Sequence, residues 1–381
     1  IRSQEGPLRF EPLLGAEGMS GFLEPDEALD EMRGVIGAYP LDIDGDDVLD
    51  LAVLRVGANR VLRGLGDCRF ADATAAWGIA PGSAWTTAFS ATWEAEAVWP
   101  TLVFGNYVDR DDPDGPFGTC DTHDLFRPGP DGYGAPVPLS PGHCTLSMLF
   151  SDWQRTGRAD LRVSNDRHYY LRDGEEQMWR LAPDLRLLTA GDGWQSHALW
   201  GMGIASRDVT GDGLPEVMLT SMGDQKLQRR VPDKGPAAFD TVPFATGTAA
   251  QRPYTGGDGR PSTGWHAEFG DVNYDGRADL FLSKGNVDQL PDAAMFDPNN
   301  LLMLGPEGRF QERGLEAGLA SLHRGRGAAL VDLNRDGRLD VVVVNRRAPL
   351  ELFENVTDGG NWLMLDLRQA APNTRAVGAW G

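Results

Sequence analysis

The stretch DVNYDGRADLFLS, residues 271–283, recurs along the chain, and the recurrence limits the folds open to it. Asp271, Asn273, Asp275 and Asp279 occupy positions one, three, five and nine of a short loop, with Gly276 where the chain must turn. DLNRDGRLDVVVVN repeats the frame with Asp332, Asn334, Asp336 and Asp340, and DVTGDGLPEVMLTS with Asp208, Thr210, Asp212 and Glu216. DIDGDDVLDLAVLR supplies Asp42, Asp44, Asp46 and Asp50, with Asp47 in the place of the turn glycine. That place calls for a left-handed backbone, which Asp tolerates better than most residues. Two copies are degraded. DWQRTGRADLRVSN keeps Asp152, Gly157 and Asp160 around Gln154 and Thr156, and WEAEAVWPTLVFGN has Trp93, Ala95, Ala97 and Thr101 in the frame. The six frames start at 42, 93, 152, 208, 271 and 332, at intervals of 51 to 63 residues. Periods of this size mean repeated supersecondary units, none able to bury its own apolar face.

Each unit reads alike. A strand of small residues enters the loop (HAEFGDV, GAALVDL), an apolar or β-branched strand leaves it (DLFLSK, DVVVVN), a third follows (NNLLMLG, PLELFEN), and an aromatic-led fourth ends it (GRFQERG, CRFADAT). Four short strands bounded by Gly, Pro and Asp define an all-β fold, a β-propeller of four-stranded blades. Six repeats are countable, for six or seven blades. The N-terminal PLRFEPLLGAEG resembles a fourth strand lacking its first three, and the last unit is one place where it could complete a blade. A seventh blade within an insertion is the other reading.

Oxygen side chains at alternate positions of a tight loop suit a hard cation, and Ca²⁺ at about four sites is expected. The helix–loop–helix motif is excluded, because it closes with a Glu at position twelve; here that residue is Leu282, inside a strand-like run. The copy at 93 is expected to be metal-free.

The D-x-[DN]-x-D-G-x-x-[DE] loops resemble the FG-GAP/VCBS repeats of integrin-α-like propellers. NWLMLDLRQAAPNTRAVGAWG looks like the opening of an ASPIC/UnbV domain through Asn361, Trp362, Leu363, Asn373, Gly378 and Ala379. Together they resemble bacterial relatives of cartilage acidic protein. The resemblance implies a propeller over 1–355, with an insertion at about 107–147, and an ASPIC/UnbV-like segment over 356–381 that either is truncated or helps close the ring.

The chain carries 35 Lys and Arg against 56 Asp and Glu, a net charge of −21, which argues against a nucleic-acid partner. No run of 18 apolar residues spans a membrane, and a monomer is expected. Cys120 and Cys144 bracket the insertion and are expected to form a disulfide, with Cys68 left over. A Cys/His metal site with His123 and His143 is the weaker reading, because C-x₂-H and H-C match no strong ligand spacing. A disulfide and calcium loops point to the periplasm or secretion, and a start at Ile1 fits removal of an export signal or trimming.

Strand alternation puts the acidic loops on one face of the disc and the remaining connections on the other. That other face gathers Arg167, His168, Trp265, His266, Arg324 and Arg346, together with Trp85, Trp200, His197 and Arg326. A cationic, aromatic mouth on an acidic protein suits a protein or carbohydrate ligand. The alternative is a hydrolase or lyase acting on an anionic substrate, with His168 or His266 as acid/base and Arg167 as clamp. Trp side chains before inner strands also commonly wedge between blades, and loop arginines commonly pair with structural carboxylates. No G-x-S-x-G, phosphate-binding loop or H-E-x-x-H is present.

Overall fold

The second strand of each repeat is the most continuously apolar, and it becomes the interior of its sheet. Thr101–Asn106, Asp160–Asn165, Glu216–Ser221 and Asp279–Lys284 are buried along their whole length. The computed structural model describes residues 34–80, 82–94, 97–115, 118–130, 132–166, 174–357 and 361–379. Among them are six antiparallel blades, here I to VI, whose first strands pack one against the next in chain order. This is a six-bladed β-propeller.

Blade I comprises Val35–Leu41, Asp50–Arg55, Arg60–Gly64 and Phe70–Asp72. Blade V comprises Gly264–Gly270, Asp279–Lys284, Asn300–Leu304 and Phe310–Glu312. Blades III and IV follow the same order, beginning at Thr145–Ser151 and Gly201–Arg207. The stretch around 107–147 is more regular than an insertion: His123–Phe126 and Val137–Leu139 are the third and outermost strands of blade II. Blade VI has three strands among the described residues, Gly325–Val331, Asp340–Asn345 and Glu351–Phe353.

Register is common to all six blades. The ninth frame residue pairs with the residue just before frame position one: Leu41 with Asp50, Thr92 with Thr101, Ser151 with Asp160, Arg207 with Glu216, Gly270 with Asp279, and Val331 with Asp340. The hairpin therefore closes identically with and without the carboxylates. Each first strand also carries a bulge near its start, for example between Gly264 and His266 and between Gly325 and Gly327.

The core lies between blades. Five apolar clusters join I to II, II to III, III to IV, IV to V, and V to VI. Among the described residues, 361–379 link blade VI to blade I. The Trp362 ring lies on Gly337 of blade VI, while Arg368 and Arg375 reach Asp47 and Thr374 reaches Asp42 of blade I.

Candidate functional site

The acidic loops are built on two carboxylates each. The first turns back on its own loop: Asp271 accepts from Asp275 N (3.1 Å) and Gly276 N (2.9 Å), and Asp332 from Asp336 N (3.0 Å) and Gly337 N (2.8 Å). Asp42 and Asp208 do the same with Gly45 and Asp47, and with Gly211 and Gly213. The ninth ties the loop to the third strand: Asp50 accepts from Ile43 N (2.7 Å) and Gly64 N (2.8 Å), and Asp279 from Val272 N (3.2 Å) and Leu304 N (2.9 Å). Asp340 binds Leu333 N and Asn355 N alike, and Glu216 binds Val209 N and the Thr210 hydroxyl. These ninth carboxyls are buried, and desolvation pushes Asp50 and Asp279 up to about 6.

Blade I comes nearest to a cation cage. One oxygen from each of Asp42, Asp44 and Asp50 falls within 4.8 Å of the others, and the Thr374 hydroxyl sits on Asp42. These are hard oxygen donors at the separations a Ca²⁺ ion spans. Asp44 is raised by burial and by the neighbouring Asp46, the mark of crowded negative charge. Arg63 offsets part of it, at 2.6 Å from Asp44 and 2.9 Å from Asp46. In the other loops the middle positions face local partners: Arg277 meets Asp275, Arg338 meets Asp336, and the amides of Asn273 and Asn334 donate to the same two aspartates. Asp212 accepts from Leu214 N.

The degraded copies use side chains in place of the acidic set. In blade II, Glu94 accepts from Thr101 (2.6 Å) and from Arg127 (2.8 Å). In blade III, Asp160 meets Gln154 (3.2 Å) and Arg180 (3.5 Å).

On the opposite face, the bulges of blades V and VI set Trp265 and Arg326 at equivalent places, and the two stack with the guanidinium carbon 4.0 Å from the ring centroid. Trp265 Nε1 donates to Gly285 O at 2.7 Å, and Arg326 donates to the carbonyls of Gly325, Asn286 and Val287 at 2.8, 3.0 and 2.7 Å. Arg324 and Arg346 converge on one carboxylate, Asp288, at 2.9 and 3.3 Å, with Arg347 at 3.8 Å and largely exposed. Three guanidinium groups thus face a single acid, with Arg326 close by on Trp265. Burial, then the charges of Arg346 and Arg324, lower Arg326 to about 10. Asp288 has no regular place in the repeat, so only its position between the arginine loops marks it.

The remaining expected site residues divide. His266 faces Glu268, at 3.7 Å, and Glu268 accepts from Leu330 N; neither bond involves the Asp288 cluster. Arg167 and His168 lie outside the described residues. Trp85 packs edge-on against Tyr107, and His197 is edge-on to the buried Trp194 with Nδ1 3.3 Å from Gln228; both are wedged between strands. Lys284 turns into the interior and pairs with Asp297 at 2.8 Å, both side chains wholly buried. Cys120 and Cys144 form a disulfide, so neither thiolate is available to a metal, and Cys68 is free and exposed.

No family model matches this chain, and no curated protein sequence matches it. Solved structures similar to it include a lectin of Agrocybe aegerita described as recognising non-reducing terminal N-acetylglucosamine, 15% identical, spanning 85% of this chain and 81% of the lectin at a TM-score of 0.44. The sialidase of Trypanosoma rangeli bound to the inhibitor DANA is 10% identical over 84% of this chain and 54% of its own, at 0.48. The V. cholerae biofilm matrix protein Bap1 is 13% identical over 78% and 41%, at 0.43. Likenesses this distant carry no argument about ligands. The propeller assignment stands on strand order and blade packing, and no helix is long and apolar enough to cross a membrane among the described residues.

Proposed function

We propose that this is an exported, calcium-stabilised propeller that binds an acidic carbohydrate or an acidic protein segment on the face opposite its metal loops. The observation that carries the reading is the arginine cluster. Arg324, Arg346 and Arg347 share one carboxylate, Asp288, and Arg326 lies nearby over the Trp265 ring, on a chain of net charge −21. A local cationic excess on an acidic protein attracts anions, and a guanidinium matches carboxylate or sulfate through paired N–H donors. The aromatic ring adds an apolar surface for a sugar face.

Calcium in the loops beginning at 42, 208, 271 and 332 supports the same reading by making the scaffold rigid, and blade I offers the most complete ligand set. Export fits the Cys120–Cys144 disulfide, which persists in oxidising compartments. The enzyme alternative draws less support, since His266 and the arginines have separate partners.

The test is a glycan array with polygalacturonate, alginate and sulfated polysaccharides, run beside neutral glucans. Binding of the acidic set by wild type, reduced at least about tenfold in Arg324→Ala/Arg346→Ala, supports the reading. Equal binding by the variant removes it.

A further inference from the structure

The last residue of the second strand is Arg55, Asn106, Asn165, Ser221 and Asn345 in five blades, but Lys284 in blade V. In blade II Asn106 donates to Asp124, and in blade VI Asn345 donates to Glu351, so a short amide suffices to fix the strand end. Lys284 instead sends its amine into the interior, where it meets the Asp297 carboxyl with both side chains wholly buried. An amine and a carboxyl held together out of water are the two halves of an amide.

The groups around them are those that amide formation uses. Lys284 Nζ lies 2.8 Å from Asp297 Oδ1 and 3.1 Å from the Ser262 hydroxyl, and that hydroxyl donates to the same Oδ1 at 2.8 Å. Ser262 therefore bridges the nucleophile and the oxygen that must leave. The other carboxyl oxygen, Oδ2, accepts from Thr263 N at 2.7 Å. A backbone donor thus stands where negative charge develops when the carbon becomes tetrahedral. Ser262, Thr263 and Lys284 are 0% exposed and Asp297 1%, which keeps bulk water from the reacting atoms. Burial lowers the Lys284 ammonium from its ordinary value, against the opposing charge of Asp297, and so favours the nucleophilic amine.

We propose that Lys284 and Asp297 condense into a side-chain amide, the ion pair being the reactant state. Proton transfer from the ammonium to Asp297 Oδ1 gives a neutral amine and a carboxylic acid. Nζ attacks Cγ, and the electron pair of the C=O bond moves onto Oδ2, held by Thr263 N–H. Ser262 takes a proton from Nζ while passing its own to Oδ1. The Cγ–Oδ1 bond breaks, the carbonyl re-forms and one water leaves. One N–C bond is made and one C–O bond is lost, with no change of oxidation state and no co-reactant. Two groups fixed in contact have the high effective concentration that the same condensation lacks in water. The product closes the loop between residues 284 and 297, which carries Asp288, and so holds the acid of the arginine cluster in place.

Mass spectrometry of the full chain, reduced and denatured, tests the proposal. The intact mass should fall one water below the sum of the residues. Trypsin should leave residues 278–309 as one peptide, lighter by one water and uncut after Lys284, its only internal Lys or Arg. Cleavage of that peptide before Asp288 and Asp292 should leave its two ends still joined. Lys284→Arg should have full mass and melt at lower temperature. Ser262→Ala, followed from the moment of cell-free synthesis, should form the bond at least about a hundredfold more slowly than the wild type. The wild-type measurement decides the matter even if a variant does not fold. Full mass with cleavage after Lys284 would overturn the proposal, as would a lost water that maps to any other residue. An equal rate in Ser262→Ala would overturn the mechanism.

Discussion

The guanidinium carbon of Arg326 lies over the Trp265 ring, 4.0 Å from its centroid, because both residues stand on the bulge that opens the first strand of consecutive blades. A bulge adds one residue to one strand and re-aims its side chain. Repeating it in each blade directs these side chains toward one face. The sequence happens to place an indole and a guanidinium at adjacent repeats, and the propeller turns that adjacency into a stacked pair.

The pair gives the first prediction. Arg326→Ala removes the stack and the hydrogen bonds to the carbonyls of Gly325, Asn286 and Val287, leaving Asn286 O to water and Val287 O to Arg346 alone. We expect a loss of about 1–3 kcal/mol in urea unfolding. Arg347→Ala, at an exposed side chain, should lose under about 0.5 kcal/mol. Equal costs would mean that the stack contributes nothing.

Removal of calcium should lower the melting temperature, and re-addition should restore it, because clustered carboxylates without a counter-ion repel one another. Asp42→Asn should blunt the response to chelator, while Glu94→Gln, in the copy that relies on Arg127, should leave it intact. Differential scanning fluorimetry with EGTA distinguishes the two. A melting temperature insensitive to chelator in the wild type would show that the loops work as hydrogen-bonded turns alone.

A buried histidine, His123, and a half-buried one, His197, set an acid limit. Burial lowers His123 to about 3 and His197 to about 4, from an ordinary value near 6.5. The unfolded chain takes up these protons first, so the stability they protect is whole above about pH 6.5 and is lost as pH falls toward 4. The urea midpoint of His197→Gln should change less between pH 7 and pH 5 than that of the wild type. The glutamine side chain can keep a polar contact with Gln228, now at 3.3 Å from the imidazole.

Lys284 and Asp297 form a wholly buried ion pair, completed by the Ser262 hydroxyl and Thr263 N. Breaking such a pair from one side leaves an uncompensated charge. Lys284→Met should therefore cost about 3–5 kcal/mol, and Lys284→Met/Asp297→Asn less than Lys284→Met alone. Chemical denaturation of the three proteins measures it, and a double variant as unstable as the single would place the cost in packing.

The repeat itself was the readable part. Asp42, Asp208, Asp271 and Asp332 announce the loop, the apolar run after each announces the central strand, and the ninth position marks where the hairpin closes. Local chemistry suffices for the loop itself, because the first carboxylate of each bonds to backbone three to five residues away. The stretch at 107–147 was harder. His123–Phe126 and Val137–Leu139 are short and separated by a stretch rich in proline and glycine, and they become strands because Thr101–Asn106 offers the first an edge and the first in turn offers an edge to the second. Lys284 showed the opposite failure. Nothing in its local sequence marks it as buried, yet Asp297, thirteen residues on, draws it inside.

By itself the sequence determined that this chain is an all-β ring of repeated blades with acidic loops on one face. Those features follow from periodicity and nearest-neighbour hydrogen bonding. Only the tertiary structure decided which of the many Arg, His and Trp side chains meet. Trp265, Asp288, Arg324, Arg326 and Arg346 lie up to 81 residues apart in the chain, and curvature of the ring from blade V to blade VI brings them to one carboxylate and one indole. Long-range approach of this kind depends on packing between blades, which no local pattern encodes.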